Sequence, residues 1–126
     1  MRYLSLIVEA YFRLIAHDVF MARRDLAALH CDIKAFPLRA TEPQAGETER
    51  ISHGLDIACA FYPKQALCLQ RSAVLVKMLR SRGLPAHMII GAQKLPFKAH
   101  AWVEVEGMIV NDRLAAREKF LVLEVC

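Results

Sequence analysis

Three residue types that together can carry out acyl chemistry occur in order in the second half of the chain. Cys68 is followed 32 positions later by His100, and His100 12 positions later by Asp112. A thiol, an imidazole and a carboxylate in that order suit a nucleophile, its base and the group that orients the base. Cys68 lies in the first turn of an apolar helical pattern, so it stands where backbone N–H groups lack intrahelical acceptors and the helix dipole favours a thiolate. The same N–H groups can hold the oxyanion formed when a carbonyl is attacked. A buried helix cysteine is the competing reading, because free cysteines are among the most buried residue types.

His100 lies near the start of an alternating stretch. It shares one face with Trp102, Glu104 and Glu106, while Ala101, Val103 and Val105 share the other. A lone strand histidine is often structural. Trp102 on the same face would shield an imidazole from water, and histidine is the residue whose proton moves near neutral pH. Glu106-Gly107 is a tight-turn signal, and a hairpin there sets residues 101–102 opposite 111–112, which brings Asp112 beside His100. A cap ahead of Arg113 is the plain alternative for Asp112. Cys68, His87 and His100 do not have zinc-ligand spacing, so neither a metal nor another cofactor is expected.

The elements that must position these groups read as an α+β domain, with N-terminal helices and a central helix packed on a small antiparallel sheet. Tyr3, Leu4, Ile7, Ala10, Tyr11, Leu14 and Ile15 recur at helical spacing. The pattern resumes from Val19 to Leu29, with Asp18 as its expected N-cap. Both helices read as packing elements, with partner docking as the alternative. Pro37, Thr41, Pro43 and Gly46 mark 37–46 as an exposed connection and the best candidate for a mobile one.

A helix is expected from Glu47 to Phe61, stopped by Pro63, and another from Gln65 to Ser81. The second is apolar nearly all round and therefore central, with Gly83 and Pro85 ending it. Strands follow over 86–91, 99–106, 108–111 and 120–125, with a polar link at 113–119. A single domain, 1–126, divides into a helical region (1–46) and a catalytic core (47–126).

Composition narrows the function class. The 126 residues are 56% hydrophobic, enough for a real core. Charges interrupt every apolar run before the ~20 residues of a membrane span, and no signal peptide is evident. No membrane partner is expected. The net charge of +4 is distributed rather than blocked, which argues against nucleic acid. Four cysteines, Cys31, Cys59, Cys68 and Cys126, form no CxxC pair, as befits a cytoplasmic protein with reduced thiols, two or three of them buried.

Several motifs have a familiar shape: Cys68-Leu69-Gln70-Arg71-Ser72, Leu79-Arg80-Ser81-Arg82-Gly83-Leu84-Pro85-Ala86, Ile90-Gly91, Pro96-Phe97, Ala99-His100-Ala101-Trp102-Val103-Glu104-Val105 and Val110-Asn111-Asp112. They resemble the leader peptidases of lasso peptide biosynthesis, a branch of the transglutaminase-like cysteine peptidases. Tyr11, Leu14, Asp18, Arg23-Arg24 and Leu29 resemble the helical N-terminal region of that family more loosely.

The resemblance implies a transglutaminase-like, papain-like fold and a cysteine peptidase that removes the leader from a ribosomally made lasso peptide precursor. Its triad would fall on Cys68, His100 and Asp112. Some members carry a fused winged-helix leader-recognition domain. Because Met1 opens directly in the helical region, this chain resembles the stand-alone form, which implies a separate winged-helix leader-recognition protein and an ATP-dependent lasso cyclase as partners besides the precursor peptide.

In that mechanism Gln65, one turn before Cys68, is a candidate second oxyanion donor. Arg71 and Ser72 share a helix side with Cys68 and brace the site, touch the peptide or pack the inner turn. Leu95, Pro96, Phe97 and Trp102 are candidates for an apolar groove holding leader side chains. An acyltransferase that passes the acyl group to an amine, and a non-catalytic precursor-binding scaffold, are the competing functions.

Overall fold

A computed structural model describes residues 2–43, 45–93, 98–110 and 120–126. Among the described residues four helices precede four strands: α1 (Arg2–Arg23), α2 (Leu26–Ala35), α3 (Glu47–Phe61), α4 (Cys68–Arg80), β1 (Ala86–Gln93), β2 (Lys98–Val105), β3 (Met108–Ile109) and β4 (Leu121–Val125). The strands form one antiparallel sheet in the order β3-β2-β1-β4. This is the expected α+β arrangement.

The N-terminal half departs from the periodicity in one respect. Asp18 does not cap a second helix, because α1 runs unbroken to Arg23 and the break falls at Asp25, whose carboxylate accepts from the Ala28 N–H at 2.9 Å. Nothing in 15–19 interrupts the i→i−4 ladder, so an acidic residue there stays helical and its side chain serves another purpose. Leu6, Ala10 and Leu14 bury the inner face of α1 against the core, while Leu4, Val8, Phe12, Ile15 and Val19 remain exposed. Segment 37–43 is exposed as expected, yet the Arg39 N–H donates to the Arg80 carbonyl (2.9 Å) and so ties it to the end of α4.

Helix α4 is the central element. It contacts α1, α2 and α3 on one side and β1 and β2 on the other, and Ser72 through Val76, Met78 and Leu79 are buried along it. The helix stops at Gly83, which has φ +84°. A Cβ at Gly83 would lie 2.1 Å from the Thr41 carbonyl oxygen, so only glycine fits the backbone conformation and the space together.

Arg80 turns inward from the last turn. Its guanidinium donates to the carbonyls of Ile33, Phe36 (3.2 Å), Ala86 (2.8 Å) and Cys126 (2.6 Å), joining α2, β1 and the chain end. Burial pushes its pKa down, and those four carbonyls hold the charge in place.

The β2–β3 hairpin turns at Glu106 (φ 51°) and Gly107 (φ 82°), two consecutive left-handed residues of a type I′ turn. Its register sets Val105 opposite Met108 and Glu104 opposite Ile109, and the Val110 N–H donates to the Val103 carbonyl. Strand alternation then sorts the residues. Ala86, Met88, Val103 and, partly buried, Ile90 and Val105 join the core with α4; Ile89, Trp102 and Phe120 form a second, smaller cluster on the opposite face.

Candidate active site

Cys68 is the first residue of α4, and the residue before it, Leu67, offers no side chain to cap the helix. The N-cap therefore takes none of the first-turn N–H groups, and the earliest helical bond is Arg71 N–H to the Leu67 carbonyl at 3.0 Å. The helical pattern seen from Gln65 is shorter by three residues at its start. Gln65 itself is exposed ahead of the helix.

The position of this first turn is set from α1. Gln70, buried at the first turn, donates to the Leu14 carbonyl (3.1 Å) and to Asp18 (3.1 Å). Asp18 also accepts from the Tyr62 hydroxyl and from Lys64 Nζ (2.7 Å), which anchors the 62–67 segment leading into Cys68. Burial opposes the charge on Asp18. The hydrogen bonds from Lys64, Tyr62 and Gln70 outweigh it and hold the carboxyl below its usual range. Burial and the adjacent carboxylate together push Tyr62 up to about 12. Sequence reasoning missed this cluster. Asp18, Tyr62, Lys64 and Gln70 are far apart in the chain and no local pattern joins them.

Cys68 and His100 stand at the same end of the molecule. Arg80 grips the Ala86 carbonyl where α4 turns into β1, and Cys68 lies roughly 18 Å back along the helix at about 1.5 Å per residue. The same span along β1, at about 3.3 Å per residue, reaches Gly91 or Ala92. Gly91 is the register partner of His100.

The two residues share a level but not a sheet face. By strand alternation His100 falls with Trp102 on the side away from α4, its ring 6.0 Å from that of Trp102 and 5.5 Å from that of Phe120. Gly91 makes room for this group: a Cβ there would lie 2.8 Å from Phe120 Cβ and 3.0 Å from the Trp102 ring.

Trp102 shields the imidazole as its position suggested, but it does not line a groove. It is 0% exposed and its Nε1–H donates to Glu104 at 2.9 Å, so no peptide side chain can reach it. Glu104, 4% exposed, is a buried carboxylate on the histidine's face and becomes visible as such only in the fold. Asp112, and Leu95, Pro96 and Phe97, lie outside the described residues.

Arg71 makes an ion pair with Asp56 of α3, a bracing contact, whereas Ser72 is fully buried in the helix interior. Of the four cysteines only Cys126 is buried; Cys31 is exposed and Cys59 and Cys68 are half-buried, so fewer are core residues than composition suggested. Burial pushes the thiols of Cys59 and Cys126 up.

A cysteine opening a central helix that packs on an antiparallel sheet with a histidine strand defines a class, and the comparisons agree with it. Residues 12–125 match the family model described as transglutaminase-like superfamily, and the chain belongs to that superfamily, whose members are typically cysteine peptidases.

Over 56 residues it is 43% identical to the microcin J25-processing protein McjB of Escherichia coli, an alignment covering 44% of this chain. The matched stretch spans 27% of that relative, about a quarter of its length. No solved structure matches the chain. Among the described residues, no helix is long and apolar enough to cross a membrane.

Proposed function

We propose that this chain is a cysteine peptidase that cleaves the leader from a ribosomally made lasso peptide precursor, in company with a separate winged-helix leader-recognition protein and a lasso cyclase. The observation that carries the reading is Cys68 at the first position of α4, level with His100, in a transglutaminase-like chain that is 43% identical over 56 residues to a microcin-processing protein. Residues 1–126 act as one peptidase domain, with 1–46 supporting a catalytic core at 47–126.

In this mechanism His100 takes the thiol proton, and the Cys68 sulfur attacks the scissile carbonyl and a C–S bond forms. The negative charge moves to the carbonyl oxygen, where the N–H groups of the uncapped first turn stabilise it. As the C–N bond breaks, His100 gives its proton to the leaving amine. It then takes a proton from water, which attacks the thioester and releases the acid and the Cys68 thiol. Asp112 holds the imidazole tautomer. Alternation sets His100 on the sheet face opposite α4, stacked on Trp102 and Phe120, so this step requires the ring to leave that stack for the side of the thiol.

The test is to incubate the precursor with this chain and its recognition partner and to weigh the products. Two fragments whose masses sum to precursor plus water establish hydrolysis, and a mass gain from an added amine would mean acyl transfer instead. Cys68→Ala must abolish processing while circular dichroism and partner binding stay unchanged; undiminished processing would reduce the chain to a scaffold.

A further inference from the structure

A groove among the described residues lies away from where the sequence placed one. It has a volume of about 600 Å3 and runs between α3 and the β2–β3 hairpin. One wall is the outward face of α3, carrying Thr48, Glu49, Ser52, His53 and Asp56; the other is the apolar hairpin edge from Val105 to Val110. Among the described strands β3 pairs with β2 alone, and both of its residues, Met108 and Ile109, line this groove. We infer that this groove holds the stretch of substrate peptide adjoining the scissile bond as an extended strand, and that it selects a basic side chain there. The inference rests on the peptidase reading.

Direction, length and charge support it. Helix α3 ends beside the segment that leads into Cys68, and β3 leads from Val105 toward the His100 level, so both walls run toward the reacting end. At that end the Asp56–Arg71 ion pair closes the wall, and Arg71 stands one helical turn, about 5 Å, from Cys68.

From Thr48 to Asp56 the helix rises roughly 12 Å, the reach of about four extended residues. An open strand edge supplies main-chain hydrogen bonds to a peptide of any sequence, and the opposing side chains supply the selectivity. Those side chains are acidic or neutral: Glu49 and Asp56 line the groove and no Lys or Arg is among its lining residues, and with Asp56 engaged by Arg71 it is Glu49 that offers a carboxylate to the groove. A cationic side chain finds its complement there.

The test uses the protein with its recognition partner and synthetic peptides spanning the precursor's cleavage site, each of six positions on either side of the cut carrying Lys, Ala or Glu in turn. Two variants on the groove wall are compared, Ser52→Trp, which fills it, and Glu49→Lys, which reverses its charge, after thermal melts confirm that both fold. We expect Ser52→Trp to raise KM at least tenfold with kcat within threefold, and Glu49→Lys to invert the preference between Lys and Glu at one position. KM and the Lys-to-Glu ratio both unchanged within twofold in the two variants would overturn the groove.

Anisotropy of the labelled peptide on Cys68→Ala protein separates this result from the fate of the peptidase reading. Binding that Ser52→Trp weakens tenfold keeps the groove, and if the protein with Cys68 intact cuts nothing under the same conditions the peptidase reading alone is lost, whereas equal binding by both sinks the groove.

Discussion

Gln70 of α4 donates to Asp18 of α1 at 3.1 Å, across 52 residues of chain, and so fixes the helical turn that begins with Cys68. The bond matters because a reacting sulfur displaced by about 1 Å can cost a hundredfold in rate. An element with no chemistry of its own, α1, thereby sets the position of Cys68, the nucleophile of the proposed mechanism.

Asp18→Ala should lower peptidase activity by tenfold or more while Cys68 remains present and the fold persists. The accompanying signature is optical. Tyr62, pushed up to about 12 by burial and by Asp18, should ionise in the absorbance titration with a midpoint near that value, and Asp18→Asn should bring the midpoint down. A Tyr62 titration that does not respond to Asp18→Asn would dissolve the cluster.

Acid should unfold the protein through two carboxylates. Burial raises both Glu9 and Asp18, but the hydrogen bonds from Arg82 and Arg13 to Glu9, and from Lys64, Tyr62 and Gln70 to Asp18, pull each below its usual range. A folded-state pKa below the unfolded one means the unfolded chain takes up protons first. The stabilisation is complete above the ordinary carboxylate range near 4 and drains as pH falls through and below it. Melts from pH 7 to 3 should show Tm falling below about pH 5, with a shallower fall in Glu9→Gln, whose neutral-pH Tm is already reduced.

Iodoacetamide near neutral pH should modify Cys68 first. Burial pushes the thiols of Cys59 and Cys126 up, and Cys31 lies inside α2 whereas Cys68 opens α4. Peptide mapping of a time course reads the order directly, and Cys31 reacting at the same rate as Cys68 would count against an activated nucleophile.

Neighbouring positions on α1 should differ sharply in their tolerance. Leu14, 0% exposed, should cost about 2–5 kcal/mol when cut to Ala, whereas Phe12, 65% exposed, should change stability by no more than about 0.5 kcal/mol when replaced by Ser. Urea unfolding of the two variants measures both.

Removing the inward cation should be worse than removing a surface one. Arg80→Met leaves the carbonyls of Ile33, Phe36, Ala86 and Cys126 without their donor in the interior, a loss of roughly 2–4 kcal/mol by the same urea measurement. Arg23→Met, on the exposed end of α1, should be nearly neutral.

Local chemistry made much of this fold readable. The 3.6-residue spacing in α3 and α4, the Gly83 stop, the Glu106-Gly107 turn and the two-residue alternation of β2 each depend on residues within a few positions of one another. For that reason the central helix, the hairpin and the α+β class followed from the chain alone.

Errors came where distance along the chain defeats local rules. Asp18 has the side chain of a helix cap and sits inside α1, because the residues that claim its carboxylate are 44 to 52 positions away. Trp102 looked like a groove wall by its face, but Phe120 and Glu104 enclose it.

The sequence by itself determined that a thiol would stand in the first turn of a buried helix and that an imidazole would sit on a strand beside a tryptophan, since helical spacing and strand faces are properties of residues close along the chain. Only the tertiary structure decided that Cys68 and His100 share one end of the molecule, which sheet face the imidazole takes relative to α4, and that the open groove runs along α3. Those relations depend on packing between segments tens of residues apart, where burial and hydrogen-bond satisfaction over the whole core select one arrangement among many that local preference would allow.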